Sequence, residues 1–151
     1  MLYIDDLRCT ILLSHLTDPM LKKLLEVTSK LTYDAGEYIF REGEFAGRLF
    51  SVHEGRVGLE IPKSPSTQIR LTELTRGMTF GISALVDTEN KKYLGHAKSL
   101  TDTVILAWKG EALEKLFVED NEMGYLFMRR VANILNRRLQ VTNAQLAEIC
   151  N

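Results

Sequence analysis

The spacing of apolar residues divides the chain into a helical start (1–30), a run of short strands (31–108) and a helical end (109–151). Thr17, Asp18 and Pro19 mark a helix start, because a capping side chain precedes a proline in the first turn. The inward face of this helix is predicted to consist of Leu21, Leu24, Leu25 and Leu31. We therefore predict an amphipathic, structural helix here.

Residues 31–108 contain short apolar runs that are separated by glycine-containing turns. The predicted strands are 38–40, 49–52, 57–61, 69–74, 95–98 and 104–108, and the predicted breaks include 34–36, 42–44, 54–55, 62–66 and 76–77. Without a helix of useful length between the strands, parallel βαβ units are excluded. The pattern predicts a mainly β fold, an antiparallel double-stranded β-roll (jelly roll) with flanking helices.

After Gly110 we predict a short helix from Glu111 to Phe117 and a long one from Asn121 to Ile149. A heptad seam follows the long helix through Tyr125, Met128, Ala132, Leu135, Leu139, Thr142, Leu146 and Ile149. A second apolar stripe is formed by Phe127, Val131 and Ile134. We infer that one stripe packs on the roll and the other on the partner subunit of a homodimer. One wide face packed on its own domain is the alternative.

The same helix carries Arg129, Arg130, Arg137 and Arg138 on one side. No aromatic residues alternate with them for base stacking, so we predict a solvated face. The chain has 151 residues and a formal net charge of −1, which indicates one domain without the cationic excess of a nucleic-acid binder. Because the long helix ends at the C-terminus, we expect no helix-turn-helix and no direct DNA binding.

No apolar run reaches the length of a membrane span, and no signal peptide pattern occurs, so we expect a cytoplasmic protein without a membrane partner. Cys9 and Cys150 lie at opposite ends of the chain and are expected to be reduced thiols. His15, His53 and His96 show no metal-ligand spacing, and no nucleophile motif or P-loop is present. We therefore predict no metal site and no catalysis.

A turn from Gly77 to Leu85 combines two glycines with Ser83 and Ala84. A glycine-led turn that enters a helical segment leaves backbone N–H groups unpaired and aimed outward, where they can bind an anion. By itself this signal is weak, because any tight turn between a strand and a helical turn has the same pattern.

Several short motifs occur in a recognisable order. They are 35–40 with 42–44, 49–52 with 55–57, Leu74 and Gly77 before Phe80 and Gly81, and then Ala84 and Leu85. In this order they resemble the cyclic nucleotide-binding domain shared by catabolite-activator-like regulators, the regulatory subunit of the cAMP-dependent kinase and cyclic-nucleotide-gated channels. The resemblance covers about residues 13–140. It implies a regulatory β-roll domain that binds a cyclic nucleotide or another phosphate-bearing ligand.

Two side chains depart from what the resemblance implies for the ligand site. The family places a glutamate for the ribose after Phe-Gly and an arginine for the cyclic phosphate on the next strand, and here these positions hold Ile82 and Tyr93. We therefore predict that cAMP and cGMP bind very weakly. Tyr93 either turns its hydroxyl to a ligand or fills the vacated space with its ring.

Backbone amides at Ser83, Ala84 and Leu94 match positions that meet phosphate in the family, and we predict that the turn from Gly81 to Ala84 binds an anion. Lys91 and Lys92 either reach the vacated phosphate position or stay solvated. Two functions follow as alternatives. The chain is either a sensor of a small anionic or nucleotide ligand that signals through its last helix to a protein partner, or a ligand-independent interaction and dimerisation module.

Overall fold

The computed structural model describes residues 1–87 and 90–150. Its helices are α1 (Ile4–Arg8), α2 (Asp18–Leu25), α3 (Gly110–Glu119) and α4 (Asn121–Cys150), with 3₁₀ turns at Ile11–Leu13 and Ile82–Leu85. The strands are β1 (Thr28–Tyr33), β2 (Tyr38–Phe40), β3 (Arg48–Glu54), β4 (Val57–Ser64), β5 (Thr67–Leu74), β6 (Thr79–Phe80), β7 (His96–Ser99) and β8 (Thr103–Lys109).

The strands form two four-stranded sheets with the orders β1-β8-β3-β6 and β2-β7-β4-β5. Every ladder between the described strands is antiparallel. Phe40, Phe50 and Phe80 are buried between the sheets, and the last two rings stack with their centroids 5.2 Å apart. The predicted antiparallel β-roll with flanking helices is confirmed.

The helix predicted at Thr17 begins as expected, because the Thr17 hydroxyl accepts a hydrogen bond from the Met20 amide at 3.4 Å. Leu31 was wrongly placed on its inward face. It lies in β1, opposite Ile105, because the strand begins at Thr28, ahead of the expected boundary. α1 and the Ile11–Leu13 turn were missed, since five and three residues are too short to show a helical period.

The break predicted at residues 62–66 is also wrong in part, because β4 continues through Pro62 to Ser64. Beyond Glu60 only β5 pairs with β4, since the ladder with β7 ends at the Glu60–His96 pair. The proline therefore lies in a two-stranded ribbon where its missing N–H leaves few ladder bonds unmade.

A second core lies at the helical end of the roll, where α1, α2, α3 and the first half of α4 meet. Trp108 of β8 is buried there, and its indole N–H donates to the Thr28 hydroxyl at 2.7 Å. Phe127 of α4 packs on Phe117 of α3 with ring centroids 4.8 Å apart. This core fixes the position of α4 relative to the sheets.

α4 is packed in its first half and exposed in its second. The inner stripe, with Phe127 and Val131 buried and Ile134 half-buried, contacts the chain's own core. Met128 of the heptad seam is half-buried and Ala132 is exposed, while Leu135, Leu139 and Leu146 are 44%, 57% and 57% exposed. The homodimer stays a prediction, for which the seam offers an uncovered apolar surface. In the described residues no helix is long and apolar enough to cross a membrane.

Two of the arginines expected on a solvated face of α4 contact the chain's own domain. Arg130 donates to the Ser14 hydroxyl at 2.9 Å, and Arg138 donates to the carbonyl oxygen of Thr79. Each arginine bonds to a residue more than fifty positions earlier in the chain, and the helical pattern alone contains no sign of those partners.

Candidate ligand-binding site

The turn after β6 depends on Gly81, which has a φ of +79° in the left-handed region. A Cβ at this position would lie 3.0 Å from the Phe50 ring and 3.1 Å from the Arg48 carbonyl oxygen. Glycine therefore lets the chain turn sharply against β3 and enter the 3₁₀ turn Ile82–Leu85. The turn brings Ile82 and Ser83 to the wall of a cleft.

The backbone amides of this turn are only partly available. The Ala84 amide donates to the Gly81 carbonyl at 3.2 Å and is therefore occupied. Within residues 1–87 and 90–150, the Ser83 and Leu94 amides have no hydrogen-bond partner. Two of the three amides that the sequence suggested as anion donors thus remain free to donate to a ligand or to water.

Tyr93 fills the space beside the turn with its ring. It is 5% exposed and stacks on Phe40, with ring centroids 3.7 Å apart and an interplanar angle of 11°. Its hydroxyl donates to the Arg48 carbonyl at 2.6 Å and accepts from the Arg48 amide at 3.1 Å. Burial raises the pKa of this phenol. We expected Tyr93 either to turn its hydroxyl to a ligand or to fill the vacated space with its ring. The structure has the second arrangement, with the hydroxyl already bonded to the Arg48 backbone.

Lys91 and Lys92 lie away from Ile82 and Ser83. Lys91 has a positive φ of 39°, and its carbonyl accepts from the Ala46 amide at 2.8 Å. With Ala84 it lines a separate recess of about 170 Å³ beside α3. Lys92 is exposed and forms an isolated antiparallel bridge with Phe45. Neither lysine lines the cleft next to Ser83.

That cleft, the roll cleft, has a volume of about 400 Å³ and is bounded by the turn, β4, β5 and α4. Its apolar wall consists of Phe40, Leu59, Ile61, Leu71, Ile82, Val86 and Leu135. Leu94 stands at its rim and is 82% exposed. Pockets with apolar walls and a few placed polar groups are typical small-molecule sites.

Two charged side chains that line the roll cleft, Glu60 on β4 and Arg138 on α4, are not among the site residues predicted from the sequence. Glu60 is 6% exposed and is compensated by Arg70, whose guanidinium lies 3.3 Å from the carboxylate. Tyr38 donates to the same carboxylate at 3.4 Å. The signal for Glu60 was its position between Leu59 and Ile61 within a predicted strand.

Arg138 enters the roll cleft from α4. Burial lowers the pKa of its guanidinium, but arginine side chains in proteins remain protonated. It continues the inner stripe of α4, since it follows Ile134 by one helical turn. The four-residue spacing from Ile134 was the sequence signal that Arg138 faces inward. Grouping it with the other arginines of the helix obscured this signal.

His96 also lines the roll cleft but serves the strand structure, as its Nδ1 accepts from the Glu42 amide at 2.9 Å. In the part of the chain that the structure describes, no three His, Cys, Asp or Glu side chains are grouped so that they could hold a metal ion. The roll cleft therefore offers apolar walls, the free amides of Ser83 and Leu94, and the guanidinium of Arg138.

Comparison with known proteins gives sequence relatives that are much longer than this chain. It is 30% identical over 90 residues to cGMP-dependent protein kinase, isozyme 1, of Drosophila melanogaster, which covers 58% of this chain and 12% of the kinase. It is 28% identical over 137 residues to glutaminase 1 of Bradyrhizobium diazoefficiens, which covers 89% of this chain and 21% of that protein. The chain thus spans about a fifth or less of these relatives.

Among solved structures, the Thermus thermophilus catabolite activator protein superposes with a TM-score of 0.75 at 24% identity, covering 92% of this chain and 62% of the activator. This likeness supports the fold. The family model for the cyclic nucleotide-binding domain matches residues 30–120, which is more than half of the chain. The chain therefore belongs to the regulatory cyclic nucleotide-binding domain family.

Proposed function

We propose that the chain is a regulatory module that senses a small ligand in the roll cleft and signals through α4 to a protein partner. The observation that carries this proposal is the composition of the cleft wall: Ile82 and Ser83 come from the turn, and Leu135 and Arg138 come from α4. A ligand in the cleft would contact both at once. It would then favour the position of α4 that makes the better contacts and shift the equilibrium between two states.

The chemistry of the roll cleft favours an amphipathic ligand with an anionic group. Its walls are mainly apolar, so a planar or hydrocarbon body would be desolvated there. The free amides of Ser83 and Leu94 and the guanidinium of Arg138 are donors for phosphate or carboxylate oxygens. Nucleotides and other small organic anions have this combination.

Cyclic mononucleotides are expected to bind weakly in the family's usual position. Ile82 is buried where the resemblance expects a carboxylate, and the Tyr93 ring lies where it expects a guanidinium. Each missing charge-assisted hydrogen bond removes about 1.5–3 kcal/mol, a factor of roughly 10 to 100 in affinity. The ligand of this module is therefore a different anion or a nucleotide held in a different way.

A thermal-shift panel of cyclic mononucleotides, cyclic dinucleotides and linear nucleotides tests the sensor proposal. Calorimetry follows for every compound that raises the midpoint of thermal unfolding. A ligand that binds only the folded state must raise it. Leu135→Arg narrows the roll cleft and should abolish binding, whereas Leu146→Arg lies on the same helix outside the cleft and should preserve it. Equal effects of both variants, or no active compound, would count against a sensor.

The double variant Ile82→Glu with Tyr93→Arg tests why cAMP should bind weakly. It distinguishes the absence of two ligand-binding side chains from the absence of a pocket. It restores both hallmark groups, so calorimetry should detect cAMP binding at least tenfold stronger than in the unchanged chain. Ile82→Gln with Tyr93→Phe keeps similar volumes without the charges and serves as the matched control. Strong cAMP binding by the unchanged chain would contradict the role that we give to Tyr93.

A second candidate is the ligand-independent interaction and dimerisation module, and the stacking of Tyr93 on Phe40 favours it. In that case α4 binds a second copy or another protein without a ligand, and no compound alters this binding. The two candidates differ in one measurement, the dependence of partner affinity on ligand. For neither do we propose a catalytic activity, since the family is one of regulatory binding domains.

A further inference from the structure

A second cleft lies on the other flank of α4, and we call it the arginine cleft. It has a volume of about 360 Å³ and separates α4 from Ile11 and the segment Gly77–Thr79. The α4 side of this cleft is polar and consists of Arg130, Asn133, Asn136, Arg137, Arg138 and Gln140, with Ile134 at its base. It shares only Arg138 with the roll cleft.

The arginine cleft has an uncompensated positive charge. Three guanidinium groups line it, and no aspartate or glutamate does so among the described residues. None of the three forms an ion pair with a described carboxylate. Guanidinium groups in a recess without a counter-charge attract anions, because the low-dielectric walls focus their field.

Two of these guanidinium groups are already held in place. Arg130 donates to Ser14 and to the Ile11 carbonyl, at 2.9 Å and 3.4 Å, and Arg138 donates to the Thr79 carbonyl. Each uses one terminal nitrogen for these bonds, and a guanidinium has five N–H donors. Further donors on side chains of fixed position are therefore available at little additional cost in conformational entropy.

The opposite wall contains a buried polar atom without a partner. Thr79 is 1% exposed, and its hydroxyl oxygen forms no hydrogen bond to any described residue. Native structures leave few such atoms unsatisfied, since burial without a partner costs free energy. This hydroxyl is enclosed by the protein and offers no donor to the cleft, so the anion site rests on the guanidinium groups and the amide side chains of α4.

The arginine cleft stays accessible in the dimer that we predict. At about 100° of rotation per residue, Arg137 lies roughly 160° around α4 from both Leu135 and Leu139 of the heptad seam. Arg137 itself is exposed and bonded to no described residue. A partner on the seam would therefore leave this flank open.

We propose that the arginine cleft is an anion site for a small molecule that carries a diphosphate or two phosphate groups. The backbone positions of Arg130 and Arg137 lie two helical turns apart, about 10 Å along the axis, so two linked phosphate groups match their spacing better than one phosphate does. The amides of Asn133 and Gln140 supply further donors between and beyond the two arginines.

Calorimetry with inorganic pyrophosphate, at constant ionic strength, tests this site. We expect binding at one site per chain, with inorganic phosphate at least tenfold weaker because it engages one arginine at a time. Arg137→Gln should weaken pyrophosphate binding at least tenfold. Arg129→Gln removes the same charge from an exposed arginine outside the cleft, and it should change the affinity less than twofold.

The location is read from NMR amide shifts. Pyrophosphate should shift the amides of Gly77 and Asn133 and leave those of Ser83 and Leu94 in place, whether or not the roll cleft binds any ligand. The proposal is overturned if pyrophosphate does not bind, if phosphate binds equally well, or if the two arginine variants lose affinity equally, which would indicate general attraction. Shifts confined to Ser83 and Leu94 would also overturn it.

Discussion

The two halves of α4 have very different surroundings. In the first half Met123, Phe127 and Val131 are buried against the helical core. From residue 139 to residue 150 every residue of the helix is exposed, Leu139 and Leu146 included. The contrast shows that the helix is anchored through its first half, whereas its last twelve described residues are exposed in this chain.

The heptad spacing continues across both halves, so it does not by itself distinguish intramolecular from intermolecular packing. The inner stripe ends at Ile134, and the seam continues past it, although Gln145 still donates to the Leu71 carbonyl of β5 at 3.4 Å. Apolar side chains that recur along an exposed helix face are typical of a helix that pairs with another helix. The following predictions test this difference between the two halves, beginning with the largest effect.

Phe127→Ala should destabilise the domain by about 3–5 kcal/mol, because it removes a buried ring that packs on Phe117 and leaves a cavity. Leu146→Ala, in the exposed half, should change the stability of the monomer by less than about 0.5 kcal/mol. Urea unfolding of both variants at low protein concentration measures the difference. Similar losses would mean that the halves are equally packed.

Leu135→Glu combined with Leu139→Glu should weaken dimerisation at least about 100-fold, because each charge replaces a side chain whose burial contributes about 1.5–3 kcal/mol. The variant should remain folded, as both positions are exposed in the single chain. Sedimentation at micromolar concentrations gives the oligomeric state. If the unchanged chain is already monomeric there, the seam does not mediate a homodimer.

Tyr93→Phe tests a buried position outside α4 and should reduce stability by about 1.5 kcal/mol, since the Arg48 amide loses its acceptor. Because the folded pKa of Tyr93 is raised above 10.0, the unfolded chain loses this proton first as the pH rises. The contribution of the protonated Tyr93 hydroxyl to the stability of the fold is therefore complete below about pH 10 and is lost above it. Urea unfolding near pH 9 and pH 11 should show a smaller loss of folding free energy in the variant than in the unchanged chain. Dimerisation should stay unchanged.

Arg138→Met should have the smallest effect, about 1 kcal/mol, because the apolar stem is retained and one hydrogen bond to the Thr79 carbonyl is lost. Arg138 lies at the boundary between the halves of α4. Arg137→Met, its exposed neighbour, is the matched control and should be neutral in phosphate-free buffer. If both variants are neutral, the link between α4 and β6 contributes nothing to stability.

The sequence by itself determined the class of fold and the family. Short apolar runs between glycine turns specify antiparallel strands, and Thr17 with Pro19 specifies the start of α2, because these signals act within a few residues along the chain. The replacement of the expected carboxylate and guanidinium by Ile82 and Tyr93 could also be read directly, since it concerns residue identity in a known order of motifs.

Only the tertiary structure decided what fills the vacated space and where the charges meet. Tyr93 turns inward because Phe40 and the Arg48 backbone, both distant in sequence, complete its packing and its hydrogen bonds. Glu60 and Arg138 reach one cleft although 77 residues separate them along the chain. Such contacts depend on the packing of sheets against α4, and local spacing carries no information about that packing.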